Sequence, residues 1–217
     1  MSELAANYRA LLERLDDWTM QAQERNPGVI PCARGCTACC HGPFDVSAAD
    51  VVLLLDGFAA LPPDLQRQVL AQAKRITARI AVVEPAWRAP HDVGELGEAR
   101  FDALTIALAD EPCPFLQDGS CSIYAYRPFV CRVMGLGLVT TEDDYLPNAC
   151  PIQADFPQYL SLPPQRFDLA GLERGEGPCL AEAGRELFGH ESAASYETTI
   201  ATALVDFADP DPEAGPC

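Results

Sequence analysis

The chain has 217 residues, 48% of them hydrophobic and 22% charged, with a net charge of −17. That length fits one well-filled domain. No apolar run is long enough to span a bilayer, and the acidic balance argues against nucleic acid and anionic lipid as partners.

The opening stretch, MSELAANYRALLERL, is charged and helical in pattern, so it does not read as a secretory leader. A cytosolic setting is therefore expected. Ten cysteines in that setting point to metal or redox chemistry, because disulfides rarely persist there.

Residues 3–25 predict an amphipathic helix with Leu4, Tyr8, Leu11, Leu15 and Trp18 on one face. Asn26, Pro27 and Gly28 end it. Residues 31–41, PCARGCTACCH, place Cys32, Cys36, Cys39 and Cys40 within nine positions, spaced C-x3-C-x2-C-C. Thiols this crowded are not a core pattern, and thiolates are soft ligands for zinc, iron or an iron–sulfur cluster. His41 beside them reads as a surface or supporting histidine, with a nitrogen ligand as the alternative.

Ser47, with Asp50 three residues on, predicts the start of a buried helix over 48–60. Pro62 and Pro63 break the chain. Asp64 is expected to cap a third helix reaching residue 83, with a fourth over about 95–109. None of these helices carries a catalytic pairing, and 87–94, with His91, reads as a loop.

The second cysteine stretch holds Cys113, Cys121 and Cys131, followed by Cys150. Asp118-Gly119 predicts a small hairpin, 124–127 a helical turn halted before Pro128, and 133–140 a strand that returns at 145–150. From 151 onward prolines punctuate the chain. Helices are expected near 165–173, 180–188 and 192–207, with an acidic tail over 208–217. Cys179 and Cys217 stand apart from the rest.

Residues 31–44 and 112–134 together carry Arg34, Arg127 and Arg132 against Asp118 alone, so they are net positive within an acidic chain. Arginine can compensate clustered thiolates and donate to sulfur. Arg127 and Arg132 are therefore read as supporting the site from behind the ligands. The chain has no G-x-S-x-G, P-loop, dinucleotide-binding glycine run or H-E-x-x-H, which removes support for those enzyme classes. C-x3-C-x2-C also matches the cluster loop of radical S-adenosylmethionine enzymes, but the parallel strands of their barrel are missing.

The segments CARGCTACCHGPFDVSAAD, CPFLQDGSCSIYAYRPFVCR and LPNAC resemble the YkgJ-type family, described as zinc- or iron-chelating and named for its CxxCxxCC-like box. The resemblance covers about residues 30–150. It implies ligand roles for Cys32, Cys36, Cys39, Cys40, Cys113, Cys121, Cys131 and Cys150. A similar box occurs in flagellin lysine methylases, which raises an enzymatic role for a cluster without carrying that activity over.

The fold expected is a single, mainly α domain with a small β-hairpin and a Cys-rich metal site. Its parts would be an N-terminal helix (1–29), the Cys-rich chelating domain (30–150), a helical extension (151–207) and the acidic tail (208–217). The function expected is binding of zinc, iron or an iron–sulfur cluster. The unequal spacings favour iron, with zinc the close alternative. Two other readings are an iron–sulfur-dependent redox or group-transfer (methyltransferase-like) enzyme, and an acidic protein-interaction module with a structural zinc. No protein partner is identified by sequence.

Overall fold

The computed structural model describes residues 2–32, 35–147 and 150–208. Arg34, Cys217 and positions 209–217 of the acidic tail lie outside the described residues. Within them the protein is mainly α, with small sheets.

Helix α1 (Glu3–Arg25) is capped by the Ser2 hydroxyl, which accepts from the Ala5 amide. It buries Tyr8, Leu12, Leu15 and Trp18. Full burial of each leucine contributes about 1.5–3 kcal/mol relative to exposure. Strand β1 (Asp45–Ser47) leads into α2 (Ala48–Ala59), where Ser47 and Asp50 form the predicted capping box. Helix α2 is apolar almost all round because it sits at the centre, against α1 on one side and α8 (Leu169–Phe188) on the other.

Helix α3 (Pro63–Val83) turns Val69, Ala73, Ile76 and Ile80 inward. Asp64 does not cap it: the N-cap is Pro62, which makes no side-chain bond, and Asp64 pairs with Arg67 inside the first turn. The fourth predicted helix is two, α4 (Val93–Leu96) and α5 (Glu98–Ala107), parted at Gly97, whose φ of 85° no helix accommodates.

The hairpin is as expected, β2 (Leu116–Gln117) pairing with β3 (Ser120–Cys121) around Asp118 and Gly119, both at positive φ. A 3-10 turn over Tyr124–Tyr126 follows. Instead of a strand from 133 to 140 there is a short helix, α6 (Phe129–Val133), and only two strand residues, β4 (Leu138–Val139). Gly135 breaks the run. It takes φ 102°, and the hydroxyl of buried Tyr159 donates to its carbonyl, leaving no room for a Cβ.

Strand β5 (Tyr145–Leu146) pairs with β4 antiparallel. After α7 (Pro157–Leu160), β6 (Gln165–Arg166) pairs with β4 in parallel. Residues 165–188 therefore do not form two helices. They form β6 and then α8, which continues through Pro178 because Pro178 and Arg174 lie on its exposed side, where water can meet the carbonyl the proline cannot.

The last predicted helix is also divided. Residues 191–195 form a 3-10 turn, followed by β7 (Glu197–Thr199), α9 (Ile200–Ala203) and a π-type turn to Ala208. β7 pairs with β1, so the end of the chain closes on the start of α2. His91, in the predicted loop, is buried with its Nδ1 2.7 Å from an Asp206 carboxylate oxygen, which ties that loop to the final turn.

Candidate metal centre

Two backbone bonds bring the cysteine stretches together. The Cys113 amide donates to the Cys40 carbonyl at 2.9 Å, and the Gly42 amide donates to the Glu111 carbonyl at 2.7 Å, around an antiparallel bridge between His41 and Pro112. Local geometry then aims each thiol. Gln23, near the end of α1, donates to the Cys32 carbonyl at 2.6 Å. A turn closed by the Cys40 amide and the Thr37 carbonyl presents Cys39 and Cys40. The hairpin carries Cys121, the Leu116 amide donates to the Cys113 carbonyl, and α6 carries Cys131.

The result is a cavity of about 70 Å³ lined by Cys32, Cys36, Cys39, Cys40, Cys113, Cys121 and Cys131. Arg127 is the charged group of this lining, and Phe44, Tyr124, Val130, Met134 and Ile200 supply much of the rest. Cys150 is not part of the lining, but it lies near enough to Cys32 to act on it electrostatically. Cys179 lies on α8, against a different groove.

The two arginines differ in position. Arg127 stacks on the Tyr124 ring at 3.8 Å and donates to the Tyr124 carbonyl at 3.1 Å and to an Asp16 carboxylate oxygen at 3.1 Å. Arg132 is buried behind the cavity. It donates to the carbonyls of Arg127 (2.9 Å) and Ala125 (3.2 Å) and pairs with the second Asp16 oxygen. A single residue of α1, Asp16, thus holds both. Nothing in the sequence pattern of α1 distinguishes Asp16 from its other polar residues. Tyr124 sits in the quoted C-x-I-Y run, where its type is visible but not its stacking role.

α6 is fixed from a second side. The Phe129 amide donates to a carboxylate oxygen of buried Asp50 at 2.9 Å, and the Tyr8 hydroxyl lies 3.1 Å from the same oxygen and 2.9 Å from one on Glu176. The Tyr8 hydroxyl has one proton for two carboxyl groups, so the bond to the second group requires that group to be protonated.

Five of these thiols hold their protons tightly. Burial, then the neighbouring Cys36, Cys39 and Cys150, pushes Cys32 up to about 11. Burial raises Cys113 to about 12 and lifts Cys121, and it lifts Cys131 well above the ordinary thiol range. Cys39 is raised first by its hydrogen bond with the Cys40 side chain and then by burial. Each of these residues is partly buried. Neutral at pH 7, such thiols lose their protons when a cation replaces them. Among the described residues, no three His, Cys, Asp or Glu side chains are already drawn together as a site for a bare ion.

Residues 31–151, more than half of the chain, match the family CxxCxxCC, described as a "putative zinc- or iron-chelating domain". The chain belongs to the CxxCxxCC family. Its first spacing departs from the family's name, with three residues rather than two between Cys32 and Cys36. No curated protein and no solved structure matches the chain. The matched region of this CxxCxxCC domain contains the whole thiol cavity except Ile200. The donor set fits the family's metals, since several thiols against an apolar wall with one guanidinium suit a soft or borderline cation. Among the described residues no helix is long and apolar enough to cross a membrane.

Proposed function

We propose that this protein holds zinc, iron or an iron–sulfur cluster through Cys32, Cys36, Cys39, Cys40, Cys113, Cys121, Cys131 and Cys150. Arg127 and Arg132 position the cysteine loops and offset their charge. The observation that carries this reading is the convergence of seven of these cysteines, drawn from two separate stretches of the sequence, on one cavity. Iron–sulfur ligation suits the unequal spacings, and zinc suits the same donors at four per ion. In this reading residues 30–150 form the chelating unit, 1–29 and 151–207 brace it, and 208–217 form an acidic tail. The protein works in the reducing cytoplasm, with metal rather than nucleic acid or membrane as its partner.

One observation favours a second reading, an enzyme. The thiol cavity shares Cys39, Phe44 and Met134 with a groove of about 740 Å³ that also holds His41 and Asp110. A catalytic metal site needs an adjoining space of this kind, and a purely structural one does not. A bound cluster would supply redox or Lewis-acid chemistry, and the groove would seat the reactant.

The test is metal analysis and absorption spectroscopy of protein purified without oxygen, with thermal melts before and after chelation under reducing conditions. Bound metal and a clearly lower melting temperature after chelation are expected, because binding energy becomes folding energy. Protein that is metal-free as isolated, takes up no added zinc or iron and melts unchanged with chelator would overturn the proposal.

A further inference from the structure

Away from the thiols, a groove of about 620 Å³ runs along α8. The β1–β7 sheet and α8 each turn carboxylates into it. Ser47 pairs opposite Glu197 in the sheet, and Val46 and Thr198 are buried on the other face, so Asp45, Ser47 and Glu197 share the face that lines the groove. On α8, Leu169, Glu173, Glu176 and Leu180 fall at i, i+4, i+7 and i+11, which makes one stripe along the helix. The Tyr8 hydroxyl lies 2.9 Å from a Glu176 carboxylate oxygen, and buried Asp50 adds to the acidic side. Among the described residues, no Lys, Arg or His lines this groove.

Much of the remaining lining is apolar. Phe129 and Val130 of α6, Leu146 of β5 and Tyr196 join Leu169 and Leu180. Leu146 is 43% exposed and its neighbour Tyr145 57%, on an edge strand of the sheet ordered β5-β4-β6. Apolar side chains of this size set in a polar rim mark an interaction surface. The carboxylates repel one another and the apolar side chains gain from being covered, so one kind of partner relieves both.

We propose that this groove docks a basic, amphipathic segment of another protein. Its Lys or Arg side chains would sit on Asp45, Glu173 and Glu197, with an apolar side chain among Leu146, Leu169 and Leu180. The proposal stands apart from the metal-binding reading, although Val130 lines both cavities. Charge selects the occupant. A second copy brings the same net charge of −17, and residues 209–217 bring Asp209, Asp211 and Glu213 with no Lys or Arg. Neither complements an acidic groove. A small polyamine would satisfy the carboxylates but leave Tyr145 and the leucines uncovered.

The experiment is fluorescence anisotropy of the full-length protein, purified without oxygen, with a labelled peptide of lysine and leucine at physiological ionic strength. Saturable binding of one peptide per chain is expected. A lysine–serine peptide of equal charge should bind about 10-fold more weakly, because it has no apolar anchors. Glu173→Lys with Glu197→Lys should weaken the lysine–leucine peptide about 10-fold. Glu95→Lys with Asp102→Lys makes the same change of charge at exposed positions of α4 and α5, and should leave binding within about two-fold. Leu146→Ser should cost about 5-fold for the lysine–leucine peptide and nothing for the lysine–serine one. Circular dichroism checks that each variant is folded, and Leu146→Ser, on a different element, decides if the charge-reversed chain is not. The proposal is overturned by absence of saturable binding, or by equal weakening from the two charge reversals, which means only the general field of an acidic chain. Displacement of the peptide by one equivalent of spermine also overturns it in favour of a small cation, as does a dimer in sedimentation that Leu146→Ser dissociates, in favour of a second copy.

Discussion

Arg132 is the residue whose removal should reveal how the cysteine loop is supported. Its side chain is almost fully buried and spans the turn between Cys121 and Cys131, donating to the Ala125 and Arg127 carbonyls and to Asp16. Arg132→Met keeps much of the stem and deletes the guanidinium. The two carbonyl bonds are charge-assisted and worth about 1.5 kcal/mol each. The bond to Asp16 adds less, because that carboxylate is 40% exposed and exposed pairs contribute under about 1 kcal/mol. The loss is therefore about 3 kcal/mol, which for a domain of this size lowers the melting temperature by roughly 6–12 °C. Metal affinity, read by competition with a chromophoric chelator, should fall about 10–100-fold, as when partners behind metal ligands are removed. Arg67→Met deletes an exposed pair on α3 and serves as the control. If the two variants melt and hold metal alike, Arg132 does not support the site in this way.

Gly57 lies in α2 beneath the 3-10 turn of the second cysteine stretch, where an added Cβ would sit 2.8 Å from the Cβ of Tyr126. Overpacking of about 1–3 kcal/mol should outweigh the helix-propensity gain of about 1 kcal/mol, so Gly57→Ala should melt several degrees lower by circular dichroism; a higher melt would refute the close approach. Asp50 gives a pH dependence. Burial pushes it up to about 6, against bonds from Phe129, Ser47 and Tyr8, with Glu176 and Cys131 also facing it. Its folded pKa lies above its unfolded one, so its stabilising contribution is full below about pH 4 and is lost as pH rises through about 6. In metal-free, reduced protein, urea unfolding should therefore favour Asp50→Asn over wild type by roughly 2 kcal/mol more at about pH 7 than at about pH 4. A constant difference would mean that Asp50 ionises as it does in water.

The first three helices and the hairpin were legible because their signals are local. The apolar stripe of α1, the Ser47–Asp50 capping box and the Asp118-Gly119 turn each act over a few residues. The seven cysteines that line the cavity are legible as a group for the same reason, by their density and by the family box around them. What could not be read depends on distant partners. Pro178 reads as a break, yet α8 passes through it because packing on α1 and α2 outweighs the missing hydrogen bond. The run 192–207 has helical composition, but β7 within it pairs with β1, which lies about 150 residues earlier (~150, a separation no local window covers). Asp16 looks like an ordinary polar position and Asp50 like a capping residue, and only the tertiary fold turns them towards the second cysteine stretch.

The arrangement of Asp16, Arg127 and Arg132 also bears on how one site can exist with and without metal. Protonated thiols are close to small apolar groups, so the metal-free cavity asks for little charge compensation. Thiolates holding a metal would differ, since a four-thiolate zinc centre carries net negative charge. Two free arginines facing a neutral cavity would repel one another and bury unpaired charge, which is costly. Asp16 offsets that cost by accepting from both guanidiniums. Arg127, which lines the cavity and is less buried than Arg132, keeps its place over Tyr124 and can share its field with the sulfurs when they ionise. Arg132 is directed at backbone carbonyls and so holds the shape of the loop between Cys121 and Cys131.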